Sequence, residues 1–325
     1  MKPLDSQSFK ALLNQLDAWN MQPDWGQKLS SQSLQGPQNS RMHGSGSEFA
    51  ESRPYAHGDE IRHLDWRLMA RSGEAFSRRF EEQRQAEWVI AVDMREPMWF
   101  GTRRQFKVSQ ALNLVAMIAW QAQRHNVSLQ LWAFGDRLLR IPLTQLSGQS
   151  LVLSCLQSLN HSKSEWLAAG QRPVSLSKAM NELFTHTDAG ASVFIVSDLH
   201  DFTENAEFAK QLIAWRQRLT LNFLWLYDPA EVALPAVPGL QLLGSMGKAL
   251  RLDRLLERKA YQHWAQSHYA RIEEALIKNG ARFAAASSET PLQQLARVYL
   301  QLTAHNQGVL AAQQSTLSER GTTNG

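Results

Sequence analysis

Apolar residues three and four apart open the chain: Phe9, Leu12, Leu13, Leu16 and Trp19 predict an amphipathic helix over residues 5–20. Ser, Gln and Gly then dominate 27–47 with few apolar anchors, which predicts a loop. From Phe49 to Gln85 Arg and acidic residues crowd together without a clear period, and only 75–80 suits extended backbone. The texture changes at residue 86. Trp88-Val-Ile-Ala-Val-Asp93 is a short apolar run ending on a carboxylate, and a long helical pattern follows over 105–125. Residues 127–134 and 138–143 predict two strands joined through Gly135-Asp136 like a hairpin. Helical patterns recur at 148–159 and 175–186, and Ser192-Val-Phe-Ile-Val-Ser-Asp198 is a second apolar run ending on a carboxylate. A helix at 204–217, a strand at 219–227, a long helix at 252–279, a strand at 282–286 and a helix at 291–305 complete the pattern.

Strands that are nearly continuously apolar, alternating with helices, predict a parallel-rich sheet covered on both faces. The expected fold class is therefore α/β: a doubly wound, Rossmann-like sheet over 86–305. An N-terminal accessory region at 1–85 precedes it, and the polar residues 306–325 form a disordered tail. The chain has 325 residues, 43% of them hydrophobic, with 11 Trp and 13 Phe, which excludes a disordered protein. One cysteine excludes an intramolecular disulfide framework and suits a reducing compartment. No apolar stretch approaches the roughly 20 residues of a membrane span, and the N-terminus lacks a signal-peptide pattern. A cytoplasmic protein with no membrane span is expected.

Charge refines this. The formal net charge is +4 and the pI about 9.3. Residues 41–84 balance eight Arg against eight acids, whereas 101–140 carry Arg103, Arg104, Lys107, Arg124, Arg137 and Arg140 against Asp136 alone. A dense basic stripe or a base-reading motif is missing, so 101–140 is expected to be a solvated helix face rather than a nucleic-acid surface.

In open α/β sheets ligands gather beyond the carboxyl ends of the strands, near the point where strand order reverses. Asp93 and Asp198 stand at two such ends and would suit a shared Mg²⁺; the simpler alternative is that each caps the next segment. His200 and Asp201 follow at the same place, but no Ser or Cys nucleophile accompanies them. Cys155 lies in an apolar helical pattern and is expected to be buried and inert. Gly44-x-Gly46 follows no strand and precedes no Lys, which argues against a phosphate cradle. His57, Asp59, His63 and Asp65 have the residue types of a metal cluster, though turn and ion-pair chemistry explains them equally.

A longer constellation is more specific. Gly44-Ser-Gly-Ser-Glu-Phe49, Arg53-Pro-Tyr55, Gly58-Asp59, Arg62, Asp65-Trp66 and Ala70-Arg71 resemble the signature of the domain-of-unknown-function 58 family. The likeness continues through Arg79-Phe-Glu-Glu82, the strand to Asp93, Phe100-Gly101 and Phe134-Gly135-Asp136, and spans about 20–300. The resemblance implies a von Willebrand factor A-like domain, a class that often holds a metal at an adhesion site. It also implies partnership with a MoxR-type AAA+ ATPase acting on a client protein, in protein assembly or maturation, and no established catalytic activity.

The adhesion-site pattern is Asp-x-Ser-x-Ser, and here the chain departs from it. Asp93-Met94-Arg95-Glu96-Pro97 puts Arg95 and Pro97 at the two serine positions. A guanidinium there repels a cation; unit charges ~4 Å apart repel by roughly 4 kcal/mol at an effective dielectric of about 20. Arg95 is alternatively placed to pair with Asp93 or Asp198 and fill the cation's position. Ser175 or Ser177 offers the third-loop hydroxyl, and Asp198 matches directly. No cofactor is expected, with Mg²⁺ bound weakly or not at all by Asp93, Asp198 and Ser175. The expected contact rim comprises Arg95, Glu96, Ser197, His200 and Asp201. In the signature segment, Ile61, Leu64, Leu68 and Met69 predict a short helix, with Arg62, Asp65, Arg67 and Arg71 free to pair. Trp66 is the candidate anchor for a docked partner. The rival readings are a metal-dependent hydrolase using Asp93, Asp198 and His200, and a nucleic-acid binder using 101–140.

Overall fold

The computed structural model describes residues 3–4, 6–20, 43–55, 64–81, 87–143, 149–167, 172–202, 206–237, 241–243, 249–251, 255–299 and 302. In chain order the larger elements are α1 (Ser6–Asn20), β1 (His43–Pro54), α2 (Trp66–Ser72), β2 (Phe76–Glu81), β3 (Glu87–Asp93) and α3 (Lys107–Arg124). Then come β4 (Ser128–Phe134), β5 (Leu138–Ile141), α4 (Gln149–Leu159), α5 (Leu176–Thr185), β6 (Ser192–Ser197) and α6 (Ala206–Arg216). β7 (Thr220–Tyr227), β8 (Gln241–Leu243), β9 (Ala249–Arg251), α7 (Leu255–Lys278) and β10 (Arg282–Ser287) follow, and residues 292–299 are helical. The chain forms two compact units, one of residues 37–86 and one of 1–36 with 87–325.

In the larger unit the sheet order is β10-β7-β6-β3-β4-β5, parallel except for the antiparallel edge pair β4–β5. This is the expected doubly wound α/β architecture. Successive side chains of a strand point to opposite faces, and both faces are covered. Ile90, Val92, Phe194 and Val196 pack with Leu114 and Ile118 of α3 and Leu156 of α4. Val89, Ala91, Val193 and Ile195 pack with Met180 and Leu183 of α5, Leu212 of α6 and Leu276 of α7. Two-sided burial explains why these strands are continuous apolar runs rather than alternating ones. From β3 the chain winds one way through β4 and β5 and the other way through β6, β7 and β10. The strand order therefore reverses between β3 and β6, where Asp93 and Asp198 stand.

Helix α1 differs from its expected grouping with residues 1–85. Leu4 and Leu12 are buried in the core beside α3 and α4. The Leu4 amide donates to Asn160 Oδ1 at 2.9 Å, and Ser109 Oγ donates to the Pro3 carbonyl. Its period revealed an apolar face, but not the surface that covers it.

The smaller unit pairs β1 with β2 in an antiparallel ribbon, Phe49 opposite Phe80 and Arg53 opposite Ser77. The loop expected over 27–47 is thus replaced by strand from His43 onward, and Gly44 and Gly46 lie in that strand. His-Gly-Ser-Gly-Ser has no apolar alternation, so backbone pairing, which sequence does not display, defines β1. Helix α2 starts at Trp66 because Asp65 caps it, accepting from the Arg67 and Leu68 amides at 3.2 Å each. Gly73, in the left-handed region, ends it, with its amide returning to the Met69 carbonyl. Arg71 lies in the last turn, where a cation complements the helix carbonyls. No helix among the described residues is long and apolar enough to cross a membrane. The expected tail at 306–325 lies outside the described residues.

Candidate functional site

Asp93, the last residue of β3, is fully buried and so is Arg95 two residues on. The guanidinium grips the carboxylate in fork geometry: Nε donates to Oδ1 at 2.9 Å and Nη2 to Oδ2 at 2.7 Å. The Arg95 amide also donates to Asp93 Oδ1 at 2.9 Å, and Ser197 Oγ donates to Oδ2 at 2.6 Å. On its other edge Nη1 donates to Asp201 Oδ2 at 2.6 Å and to the Val174 carbonyl at 3.3 Å. The guanidinium carbon lies 5.2 Å from the centre of the Phe134 ring. One side chain thus ties together the segments that follow β3, precede α5 and follow β6.

A second buried cation stands next to the first. Lys107, in the first turn of α3, donates to Asp198 Oδ2 at 2.9 Å and to Glu231 Oε1 at 2.6 Å. Its side chain is 1% exposed, and that of Asp198 3%. Asp198 Oδ1 meets His200 Nδ1 at 2.9 Å and accepts from the His200 amide at 3.2 Å. Between them Leu199 adopts φ 55°, a left-handed conformation costing roughly 1–2 kcal/mol for a non-glycine residue. That turn points Asp198 and Asp201 back toward the sheet end, and the Leu199 amide is held by Ser197 Oγ at 3.0 Å.

The charges are mutually fixed. Burial opposes ionisation of Arg95, but Asp93 and then Asp201 outweigh it and hold the guanidinium above its ordinary range. Lys107 is likewise raised, with Asp198 and Glu231 overcoming burial. Burial would raise Asp198, yet the bond to His200 and the charge of Lys107 hold its carboxyl well below the usual range. Asp201 is lowered against burial by Arg95, and His200 is raised against burial by Asp198. Glu231 goes up, because burial exceeds what Lys107 returns.

Of the residues expected at the rim, the structure brings Asp93, Arg95, Ser197, Asp198, His200 and Asp201 together. Ser175 caps α5 instead, accepting from the Lys178 amide at 3.3 Å. Glu96 lies outward and pairs with Lys163 at 2.8 Å. Among the signature residues, Asp65 caps α2, Trp66 and Arg71 lie in it, Arg53 lies in β1 and Tyr55 is half-buried after it. Gly58, Asp59 and Arg62 lie outside the described residues, as do His57 and His63.

Two corrections concern the basic stretch 101–140. Lys107 is no part of a solvated face, and α3 is buried almost all round. Arg124 lies over Trp120 at 5.0 Å and Arg140 over Trp132 at 5.8 Å, while Arg103 reaches Glu289 at 3.6 Å. These three cations sit in different parts of the chain's fold, Arg124 at the end of α3, Arg140 in β5 and Arg103 before α3. Cys155 is buried as expected, and burial pushes its thiol up to about 12.

Sequence reasoning missed Lys107, Glu231 and Asp228. Asp228 is fully buried, accepting from the Thr102 amide at 2.9 Å, Thr102 Oγ1 at 2.6 Å and Ser288 Oγ at 2.9 Å. It also caps the turn Pro229–Val232 that carries Glu231. The one available signal was its position, a third carboxylate directly after an apolar strand.

Gly135, after β4, supports the same end of the sheet. A Cβ there would stand 2.5 Å from the Trp166 carbonyl oxygen, while the Gly135 carbonyl accepts from the Val174 amide at 2.9 Å. Gly135→Ala is expected to cost about 1–3 kcal/mol in urea unfolding, as overpacking against backbone does.

One oxygen or nitrogen from each of Asp93, Asp198 and His200 lies within 4.8 Å of the others, a spacing a metal ion could span. The donor set nevertheless does not fit one. Both Asp93 oxygens accept from Arg95, and both Asp198 oxygens are engaged, by Lys107 and by His200. Arg95 and Pro97 supply no hydroxyl, and Ser197 donates to Asp93.

Residues 51–271 match the family model described as "Protein of unknown function DUF58". Uncharacterized proteins of Mycobacterium tuberculosis and Mycobacterium bovis are each 26% identical over 279 residues, covering 83% of this chain and 83% of their own. Among solved structures, the conserved hypothetical protein BatB from Bacteroides thetaiotaomicron aligns with a TM-score of 0.41 and 13% identity, over 67% of this chain and 98% of that one. A von Willebrand factor type A protein from Catenulispora acidiphila aligns with a TM-score of 0.35 and 12% identity, over 70% and 43%.

Proposed function

The chain belongs to the DUF58 family, and on that premise we propose that it is a non-catalytic cytoplasmic adaptor. Its partner is a MoxR-type AAA+ ATPase acting on a client protein during assembly or maturation, as the family resemblance implies. The contact face is the rim at the carboxyl ends of β3 and β6: the loop Asp93–Gly101, the segment before α5, and Ser197–Asp201. The observation that carries this reading is the state of the rim carboxylates. Asp93 and Asp198 are consumed by cations from the same chain, so the arrangement fixes loop shape rather than leaving a group free to react. Hydrolysis through Asp93, Asp198 and His200 would need a carboxylate open to metal or proton. Around this fixed centre, His200, Glu96 and Phe100 are exposed and available to a partner. Arg103, Arg124 and Arg140 each engage a partner within the chain, which favours the adaptor over the nucleic-acid reading.

Pull-down of the full chain with the MoxR-type ATPase tests the proposal. Wild type is expected to be retained, and Arg95→Ser and Asp198→Ala to lose retention because the rim loosens. Glu96→Gln and Phe100→Ala alter only exposed side chains, and weakened retention is expected with essentially unchanged unfolding. Unchanged retention in all four removes the rim from the account.

A further inference from the structure

We infer that Arg95 and Lys107 together replace the divalent cation that a von Willebrand factor A-like fold implies here, so that the rim is set permanently and without metal. That such a rim engages its partner in the absence of divalent ions rests on the adaptor reading; the replacement itself does not.

The geometry supports substitution rather than simple loss. By the adhesion-site pattern, a metal here would be held by residues of the loop after the first strand, the third loop and the loop after β6. Arg95 makes the same junction, through Asp93, the Val174 carbonyl and Asp201. Asp201 extends it by accepting from the Leu176 amide at 2.9 Å, which fixes the start of α5. A guanidinium suits this work because its planar fork addresses a carboxylate with one edge and further acceptors with the other. It leaves Asp198 unserved, however, and Lys107 arrives from α3 to neutralise it. Lys107 then draws Glu231 in from beyond β7, a fourth segment. Four carboxylates, Asp93, Asp198, Asp201 and Glu231, thus share two internal cations. Both cations are 1% exposed, and being covalently part of the chain they do not dissociate. Metal concentration therefore has no hold on the rim.

The test is metal binding by the full-length protein, with no ATPase present. Manganese titration followed by electron paramagnetic resonance, and Mg²⁺ titration by calorimetry, are expected to show no saturable site in wild type. Its unfolding midpoint is expected to be the same in EDTA and in millimolar Mg²⁺. The double variant Arg95→Ser, Lys107→Ser exposes the carboxylates and restores a hydroxyl. It is expected to gain one saturable Mn²⁺ equivalent and an unfolding midpoint that rises with the metal. A wild-type site that is lost in Asp198→Asn overturns the inference, and so does a folded double variant that gains no site. Should the double variant not fold, the wild-type titration decides alone. A failed pull-down beside a metal-free wild type removes the adaptor reading and leaves the replacement standing.

Discussion

Lys107→Met is expected to lower the unfolding free energy by about 3–5 kcal/mol, the range for removing one partner of a buried ion pair. Methionine keeps the length and the apolar stem, so the change isolates the ammonium. Without it Asp198 and Glu231 face each other with no shared cation, Asp198 almost wholly out of water. The loss follows from the charge left behind, since a well-packed apolar substitute for the whole set need not be less stable. Urea unfolding at neutral pH reads it, with the slope of free energy against denaturant checked for constancy. A cost under about 1 kcal/mol, the level of an exposed ion pair, would mean that water reaches the carboxylates.

Arg95→Ala is expected to cost a similar amount, about 3–5 kcal/mol, and to act on a different set of loops. It strands the fully buried Asp93, leaves Asp201 without its guanidinium and frees the Val174 carbonyl. Arg95→Lys is not expected to rescue it, because an ammonium is a point charge and cannot present a fork to Asp93 while reaching Asp201. Hydrogen exchange separates the two variants. Arg95→Ala is expected to speed exchange at the Leu176 amide, which Asp201 holds, before exchange rises in β3. Uniform acceleration throughout the sheet would show that Arg95 acts on global stability alone.

The sheet was legible in the sequence because burial on both faces leaves an unambiguous mark. Runs such as Trp88–Val92 and Ser192–Val196 admit few polar interruptions, and their spacing by helical patterns gives the winding. Strand β1 left no such mark: a ribbon rich in Gly and Ser is defined by its backbone bonds to β2. The accessory grouping of α1 failed for a related reason, since an amphipathic stripe does not name what covers it. Within the site, Arg95 stood out because a known pattern expects a hydroxyl there. Lys107 was hidden by its company. Among Arg103, Arg104 and Arg124 it looked like one more solvated cation, and nothing local in the sequence says that Asp198 and Glu231 arrive over it. Asp228 and Glu231 lie more than 120 residues from their partners Thr102 and Lys107, so only the fold could bring them there.

The central claim is that the strand-end carboxylates are neutralised from within the chain, and a double-mutant cycle on Lys107 and Asp198 tests it most directly. Wild type, Lys107→Met, Asp198→Asn and the double variant are compared by urea unfolding under one condition. Strong coupling is expected, with the double variant less destabilised than the sum of the single changes by about 0.5–3 kcal/mol, the range for residues in one charge network. Strict additivity of the two substitutions would contradict it.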